Sequence, residues 1–157
     1  MAELKVGQKA PEFTLPDQDG KIISLKDLKG KWVILYAYPK DDTPGCTIEG
    51  IGFTRFHSEF QKQGAVVLGI SPDDGKSHCK FRDKHKLTIP LLCDPEHKAL
   101  AVYGAWGMKR FFLNKYEGVI RSTFLIDPKG DLAYIWPKVS AKGHAEEALQ
   151  KLKELKK

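Results

Sequence analysis

The stretch Trp32-Val33-Ile34-Leu35-Tyr36-Ala37-Tyr38-Pro39-Lys40-Asp41-Asp42-Thr43-Pro44-Gly45-Cys46 decides how the chain is read. An uninterrupted apolar run that stops at a proline fits a strand buried on both faces of a sheet. Thr43 then offers a helix N-cap, its hydroxyl able to accept a backbone N–H. Pro44 suits the first helical position, because its ring fixes φ and its missing N–H would have been an orphan there. Cys46 falls at about the third position of that helix, where unpaired amides and the positive end of the helix dipole favour a thiolate over a thiol. A thiolate is a nucleophile. The alternative is a buried structural cysteine, the usual fate of a lone thiol. The polar residues Asp41, Asp42 and Thr43 favour the reactive reading.

Outward from this stretch the elements alternate. Phe13 to Leu15 and Ile22 to Leu25 flank Asp17-Gln18-Asp19-Gly20 and predict an N-terminal β-hairpin. A helix is expected from Pro44 to Gln63, stopped by Gly64, and Ala65 to Ile70 reads as a second buried strand. A short helix around Ser77 to Lys86, a brief strand at Leu91-Leu92 and a helix around Glu96 to Tyr103 come next. The segment after Tyr103 reads as irregular. Thr123 to Ile126 and Leu132 to Trp136 predict strands around the turn Asp127-Pro128-Lys129-Gly130, and Ala145 to Leu155 a closing amphipathic helix. Strands alternating with helices and ending in a hairpin and helix give an α/β protein with a mixed sheet flanked by helices.

At 157 residues and 41% hydrophobic composition, residues 1–157 are expected to form one domain around one core. No charged segment followed by an apolar one opens the chain, and no apolar run approaches membrane-spanning length, so a cytoplasmic location is expected. The net charge of +6 raises the question of nucleic acid. The lysines are scattered, with one concentration at Lys142, Lys151, Lys153, Lys156 and Lys157 that lacks interleaved aromatics. A solvated helix face is the expectation, with neither nucleic acid nor a membrane as partner, although positive charge can steer an acidic reductant. Three cysteines without regular spacing make no disulfide framework. Cys93 and His97, or His78, Cys79 and His85, form no paired metal knuckle, so no metal and no other cofactor is expected.

The spacing Pro39, Thr43, Cys46, extended through Thr47 and Glu49, resembles the active-site signature of the peroxiredoxins. The likeness continues through Gly7 to Phe13, Gly69 to Asp73 and Arg121 to Asp127, and is greatest to the peroxiredoxin Q, or bacterioferritin comigratory protein, branch. The resemblance implies a thioredoxin-like fold and a thiol peroxidase acting on hydrogen peroxide and organic hydroperoxides. It assigns Cys46 as the residue oxidised to sulfenic acid. Thr43 would hydrogen-bond thiolate and peroxide, Arg121 would hold the thiolate and donate to substrate, Pro39 would shield the pocket, and Glu49 would orient Arg121. It further implies thioredoxin or glutaredoxin as reductant and a monomer or weak homodimer. Without the resemblance, Arg121 would read as an ordinary surface residue and Glu49 as an exposed carboxylate.

The chain departs from many members of that branch at Ile51, where they carry a resolving cysteine. Cys79 lies on the next helix, where a second group keeps its resolver, but one turn early: that group's position is Arg82 here. Resolution by Cys79 is the first expectation, a one-cysteine mechanism relying on an external thiol the second, and Cys93, which follows a buried apolar pair, the third. A thioredoxin-type reductase would need a second thiol three residues after Cys46, where Glu49 stands. A binding module would not need Thr43 and Arg121 beside a thiolate, and a holdase role would depend on oligomers.

Overall fold

The computed structural model describes residues 4–156, so Lys157 lies outside it. Its centre is a five-stranded sheet ordered β5-β4-β3-β8-β9. The strands are Trp32–Ala37 (β3), Ala65–Ser71 (β4), Leu91–Cys93 (β5), Ser122–Ile126 (β8) and Leu132–Trp136 (β9). β3, β4 and β5 run parallel, whereas β8 and β9 are antiparallel to their neighbours. The central place of β3 explains its composition. Ile34, Tyr36 and Tyr38 enter one core cluster, while Val33, Leu35 and Ala37 enter another on the opposite face. A strand covered on both faces has no polar side to alternate with.

One face is closed by Pro44–Arg55 (α1), His57–Lys62 (α2) and His144–Leu155 (α5). The last buries Ala145, Ala148, Leu149 and Leu152 along one stripe. The other face carries Lys98–Val102 (α4) and the N-terminal hairpin, in which Thr14–Pro16 (β1) pairs with Ile22–Ser24 (β2). Gly75–His85 (α3) connects β4 to β5. Among the described residues no helix is long and apolar enough to cross a membrane.

Two expectations need correction. The helix expected from Pro44 to Gln63 is broken at Phe56, whose ψ of 9° leaves the helical range. The turn there redirects the chain so that Phe60, like Phe53, is fully buried in the same cluster. The segment after Tyr103 is not irregular: Trp106–Phe111 (β6) and Asn114–Val119 (β7) form an antiparallel hairpin outside the main sheet. Most of β7 faces solvent, so the hairpin lacks the apolar alternation by which strands are recognised. Its turn uses Phe112 at φ 56° rather than an Asn-Gly pair. Smaller differences lie at helix ends: α3 begins at Gly75 because Asp74 caps Ser77 N–H, and α4 spans only Lys98–Val102.

Candidate active site

The site lies where β3 ends and α1 begins. Pro44 opens the helix and puts Cys46 at its third position, 1% exposed, with amides of the first turn around it. Arg121, between β7 and β8, reaches across the sheet end. Its Nη2 donates to Cys46 Sγ at 3.2 Å and its Nη1 to Glu49 Oε1 at 2.6 Å. One guanidinium therefore ties the thiol to a carboxylate one turn further along the same helix, a fork geometry that an ammonium could not reproduce.

Glu49 is not the exposed carboxylate its residue type suggests; it is fully buried. Burial pushes its carboxyl up to about 7, and Arg121, pulling the other way, offsets only part of that. Among the described residues its Oε2 finds no hydrogen-bond partner, and neither does the hydroxyl of Tyr36 on β3. Tyr36 titrates well above its ordinary range, through burial first and the charges of Glu49 and Cys46 next.

Gly45 makes the Arg121 contact possible. A Cβ at this position would stand 3.0 Å from Arg121 Nη2. Gly45→Ala should therefore push the guanidinium off the thiol and slow the reaction of Cys46 with an oxidant about ten- to a hundredfold, with little change in melting temperature. Stopped-flow oxidation of the reduced variant checks this; an unchanged rate would mean that Arg121 placement is not limiting.

Thr43 is in the extended conformation of an N-cap, as expected, but its hydroxyl accepts nothing from the helix. It donates instead to the Lys40 carbonyl at 2.8 Å. That bond closes the loop over Asp41 and Asp42, and Asp42 sits at φ 60° within it. Pro39 is half-buried at the start of the same loop.

The loop is anchored by residues that the sequence did not single out as functional. Asp41 is buried and accepts from Tyr38 Oη at 2.7 Å and Ser77 Oγ at 2.7 Å. Nδ1 of the buried His78, on α3, stands 2.7 Å from the same carboxylate, while Nε2 faces the Leu92 carbonyl at 3.0 Å. Acceptors at both nitrogens give the ring both protons. Burial opposes that charge, but the Asp41 hydrogen bond and charge outweigh it and hold His78 above its ordinary range. Asp42 bonds Lys84 Nζ at 2.8 Å and His85 Nε2 at 2.9 Å, both on α3, and these contacts, Lys84 foremost, hold its carboxyl low. The loop before α1 and the helix α3 are thus tied by one buried and one exposed set of charges. Asp41, Asp73 and His78 bring one donor atom each within 4.8 Å. With both ring nitrogens of His78 engaged, the group is an ion pair with no imidazole lone pair to offer a metal.

At the other side of the site, His144 opens α5 and is buried. Its Nε2 meets Thr123 Oγ1 at 2.8 Å and its Nδ1 meets Glu147 Oε1 at 3.0 Å. This pins the helix start two residues along β8 from Arg121. Lys109, on β6, stands near enough that the charges of Arg121 and Cys46 act on its ammonium, which burial first and Arg121 next hold below the ordinary range.

All three thiols are free. Cys79 is half-buried and turned toward the N-terminal hairpin, donating to the Gln18 carbonyl at 3.0 Å. Cys93 Sγ lies 3.8 Å from the Asp17 carbonyl of the same turn. Burial pushes the Cys93 thiol up to about 11, which suits an inert group. The structure brings together Cys46, Arg121 and Glu49, sets Thr43 and Pro39 in the adjoining loop, and leaves Cys79 facing another element.

Residues 6–135 match the AhpC/TSA family. The chain is 46% identical to peroxiredoxin Bcp of Bacillus subtilis over 152 residues, covering 97% of each. It is 40% identical to peroxiredoxin Bcp of Escherichia coli over 154 residues, 98% of this chain and 99% of that one. Among solved structures, the bacterioferritin comigratory protein of Xanthomonas campestris, described for its alkyl peroxide reduction activity, superposes with a TM-score of 0.91 at 34% identity. That match covers 98% of this chain and 100% of the other.

Proposed function

We propose, for a chain that belongs to the AhpC/TSA family as a peroxiredoxin of the Bcp, or peroxiredoxin Q, group, that Cys46 is the thiol through which it reduces peroxides. The protein is a thiol-dependent peroxidase with a thioredoxin-like fold. The observation that carries the assignment of Cys46 is the Arg121 guanidinium, 3.2 Å from its sulfur and locked by Glu49.

The thiolate attacks one oxygen of the peroxide. An S–O bond forms as the O–O bond breaks, the departing alkoxide or hydroxide takes a proton, and Cys46 becomes a sulfenic acid. Arg121 stabilises the negative charge as it passes from sulfur to the leaving oxygen. The Thr43 hydroxyl, whose lone pairs are open while its proton is directed at Lys40, accepts a hydrogen bond from the incoming hydroperoxide. Pro39 limits the entry of water.

Cys79 then resolves the sulfenic acid: its sulfur joins that of Cys46, and the sulfenic oxygen leaves as water. Its thiol must first release Gln18, and the bonds that tie α3 to the catalytic loop must open, since a disulfide needs Cα atoms within about 7 Å. A thiol donor of the thioredoxin or glutaredoxin type returns both sulfurs to thiols. Residues 1–157 act as one catalytic unit, as a monomer or weak homodimer in the cytoplasm. The second reading, a one-cysteine cycle reduced by an external thiol, is favoured by the direction in which Cys79 now points.

Peptide mapping after one equivalent of peroxide distinguishes the two. A Cys46–Cys79 peptide is expected, and Cys79→Ser should keep the first oxidation, lose about tenfold or more of thioredoxin-dependent turnover and advance more readily to sulfinic acid. Unchanged turnover in Cys79→Ser with no such peptide establishes the one-cysteine cycle.

A further inference from the structure

The β6–β7 hairpin stands outside the main sheet and ends in a two-residue turn of Phe112 and Leu113. Their exposures are 82% and 99%, and Met108 and Tyr116 further down the ribbon are also exposed. Large apolar side chains at the point of a projecting ribbon are costly to leave in water and mark an interaction site. The charges around them are of one sign. Arg110 and Lys115 are cross-strand partners one pair behind Phe111 and Asn114, which flank the turn, and Lys109 faces Tyr116 at the next position. The acidic residue of the hairpin, Glu117, is set back at the Met108 level, where Trp106 Nε1 donates to it at 3.1 Å.

The root of the hairpin runs into Arg121, the residue that holds Cys46. Gly107 and Gly118 pair across it, leaving room for the Ile120 and Lys109 side chains, for which a Cβ would stand only 3.1 and 3.2 Å away. Lys109 lies in the field of Cys46 and Arg121. β7 leads through Val119 and Ile120 directly into Arg121. Whatever seats the tip is therefore joined through β7 to the residue that holds the thiol.

We propose that the β6–β7 hairpin docks on an anionic lipid surface, with Phe112 and Leu113 entering the headgroup region and Arg110 and Lys115 contacting lipid phosphates, so that the Cys46 site faces hydroperoxides carried in the membrane. The basic pair two positions behind the turn calls for an acidic partner and makes a second copy of this tip unfavourable. The two tip side chains are almost wholly exposed, which suits a deformable surface better than a preformed pocket. Apolar side chains backed by basic ones are the combination that holds peripheral proteins at anionic interfaces. The proposal rests on the peroxidase reading for its consequence, but the docking itself can be measured without peroxide.

Reduced full-length protein is sedimented with vesicles of phosphatidylcholine alone and of equal parts phosphatidylcholine and phosphatidylglycerol, at low and high salt. Binding is expected only to the mixed vesicles and should weaken with salt. Two variants lie away from the catalytic groups: Phe112→Asn with Leu113→Ser, asparagine being tolerant of positive φ, and Arg110→Gln with Lys115→Gln. Each should lose about tenfold or more of vesicle partitioning. Each should also turn over a vesicle-borne phospholipid hydroperoxide correspondingly more slowly, while consuming aqueous hydrogen peroxide at the wild-type rate. Equal sedimentation of wild type and tip variant overturns the proposal. So does a tip-dependent dimer in light scattering, or slower thioredoxin-dependent turnover with unchanged vesicle binding; these make the occupant a second copy or an acidic protein. Loss of hydrogen peroxide consumption by the wild type itself would instead count against the peroxidase reading.

Discussion

Cys46→Ser is expected to abolish peroxide consumption, to at least about a thousandfold below the wild-type rate, while the protein stays folded. Serine at this position keeps the shape of the side chain beside Arg121, but its hydroxyl stays protonated at any pH the protein survives and cannot attack the O–O bond. The other two cysteines cannot substitute. Cys79 donates to Gln18, away from the guanidinium, and burial keeps the Cys93 thiol up at about 11. The structural cost is small, because one sulfur is replaced by a smaller polar atom that still finds the Arg121 donor; about 1 kcal/mol is a reasonable figure. Stopped-flow peroxide consumption, with circular dichroism on the same sample, separates lost chemistry from lost structure. A variant that kept near wild-type turnover would remove Cys46 from the reaction.

The sequence showed the parts of this site that are local and hid those that are not. The run from Trp32 to Tyr38 identified the central strand because burial on both faces leaves an unbroken apolar signature. Thr43 and Pro44 identified the start of α1 because helix ends demand particular residues. The cap position holds, but its side-chain bond does not form: the Thr43 hydroxyl gives its proton to the Lys40 carbonyl, and whether a helix amide also reaches its oxygen depends on loop geometry rather than residue type. Arg121 and Glu49 could be singled out only by resemblance, since their contacts span 75 and 72 residues of chain in the folded site. Nothing local marks Glu49 as buried. The Tyr38–Asp41–His78 cluster had no signal at all: a histidine beside Cys79 on a polar helix reads as solvated, and only the packing of α3 against β5 brings it to Asp41. The β6–β7 hairpin escaped for the opposite reason, having too little buried surface to impose a period.

Arg121→Ala should have the second largest effect, because a single guanidinium serves both the nucleophile and its neighbour. Removing it deletes the donor on Cys46 Sγ at 3.2 Å and the bond that satisfies Glu49 Oε1. A hydrogen bond to a charged group contributes roughly 1.5–3 kcal/mol, and loss of one donor to a developing oxyanion slows acyl transfer by about a hundred- to a thousandfold. The oxidation step should fall by a similar factor. Arg121→Lys should recover only part of it, because one ammonium cannot hold both partners in a fixed fork. The variant also carries a signature in stability. Glu49, raised by burial from 4.5 to about 7 even with Arg121 present, loses the influence that lowers it and shifts further up. A carboxyl whose folded value lies above its unfolded one supports the fold while protonated, and that support is lost as pH rises through the folded value. Arg121→Ala should therefore approach wild-type stability near about pH 5 and fall progressively behind it above about pH 7. Adding Glu49→Gln, which cannot ionise, should remove that pH dependence without restoring the oxidation rate. If the single variant lost equal stability at both pH values, or if the double variant regained peroxide reactivity, Arg121 would be acting through packing rather than through its charge on Cys46 and Glu49.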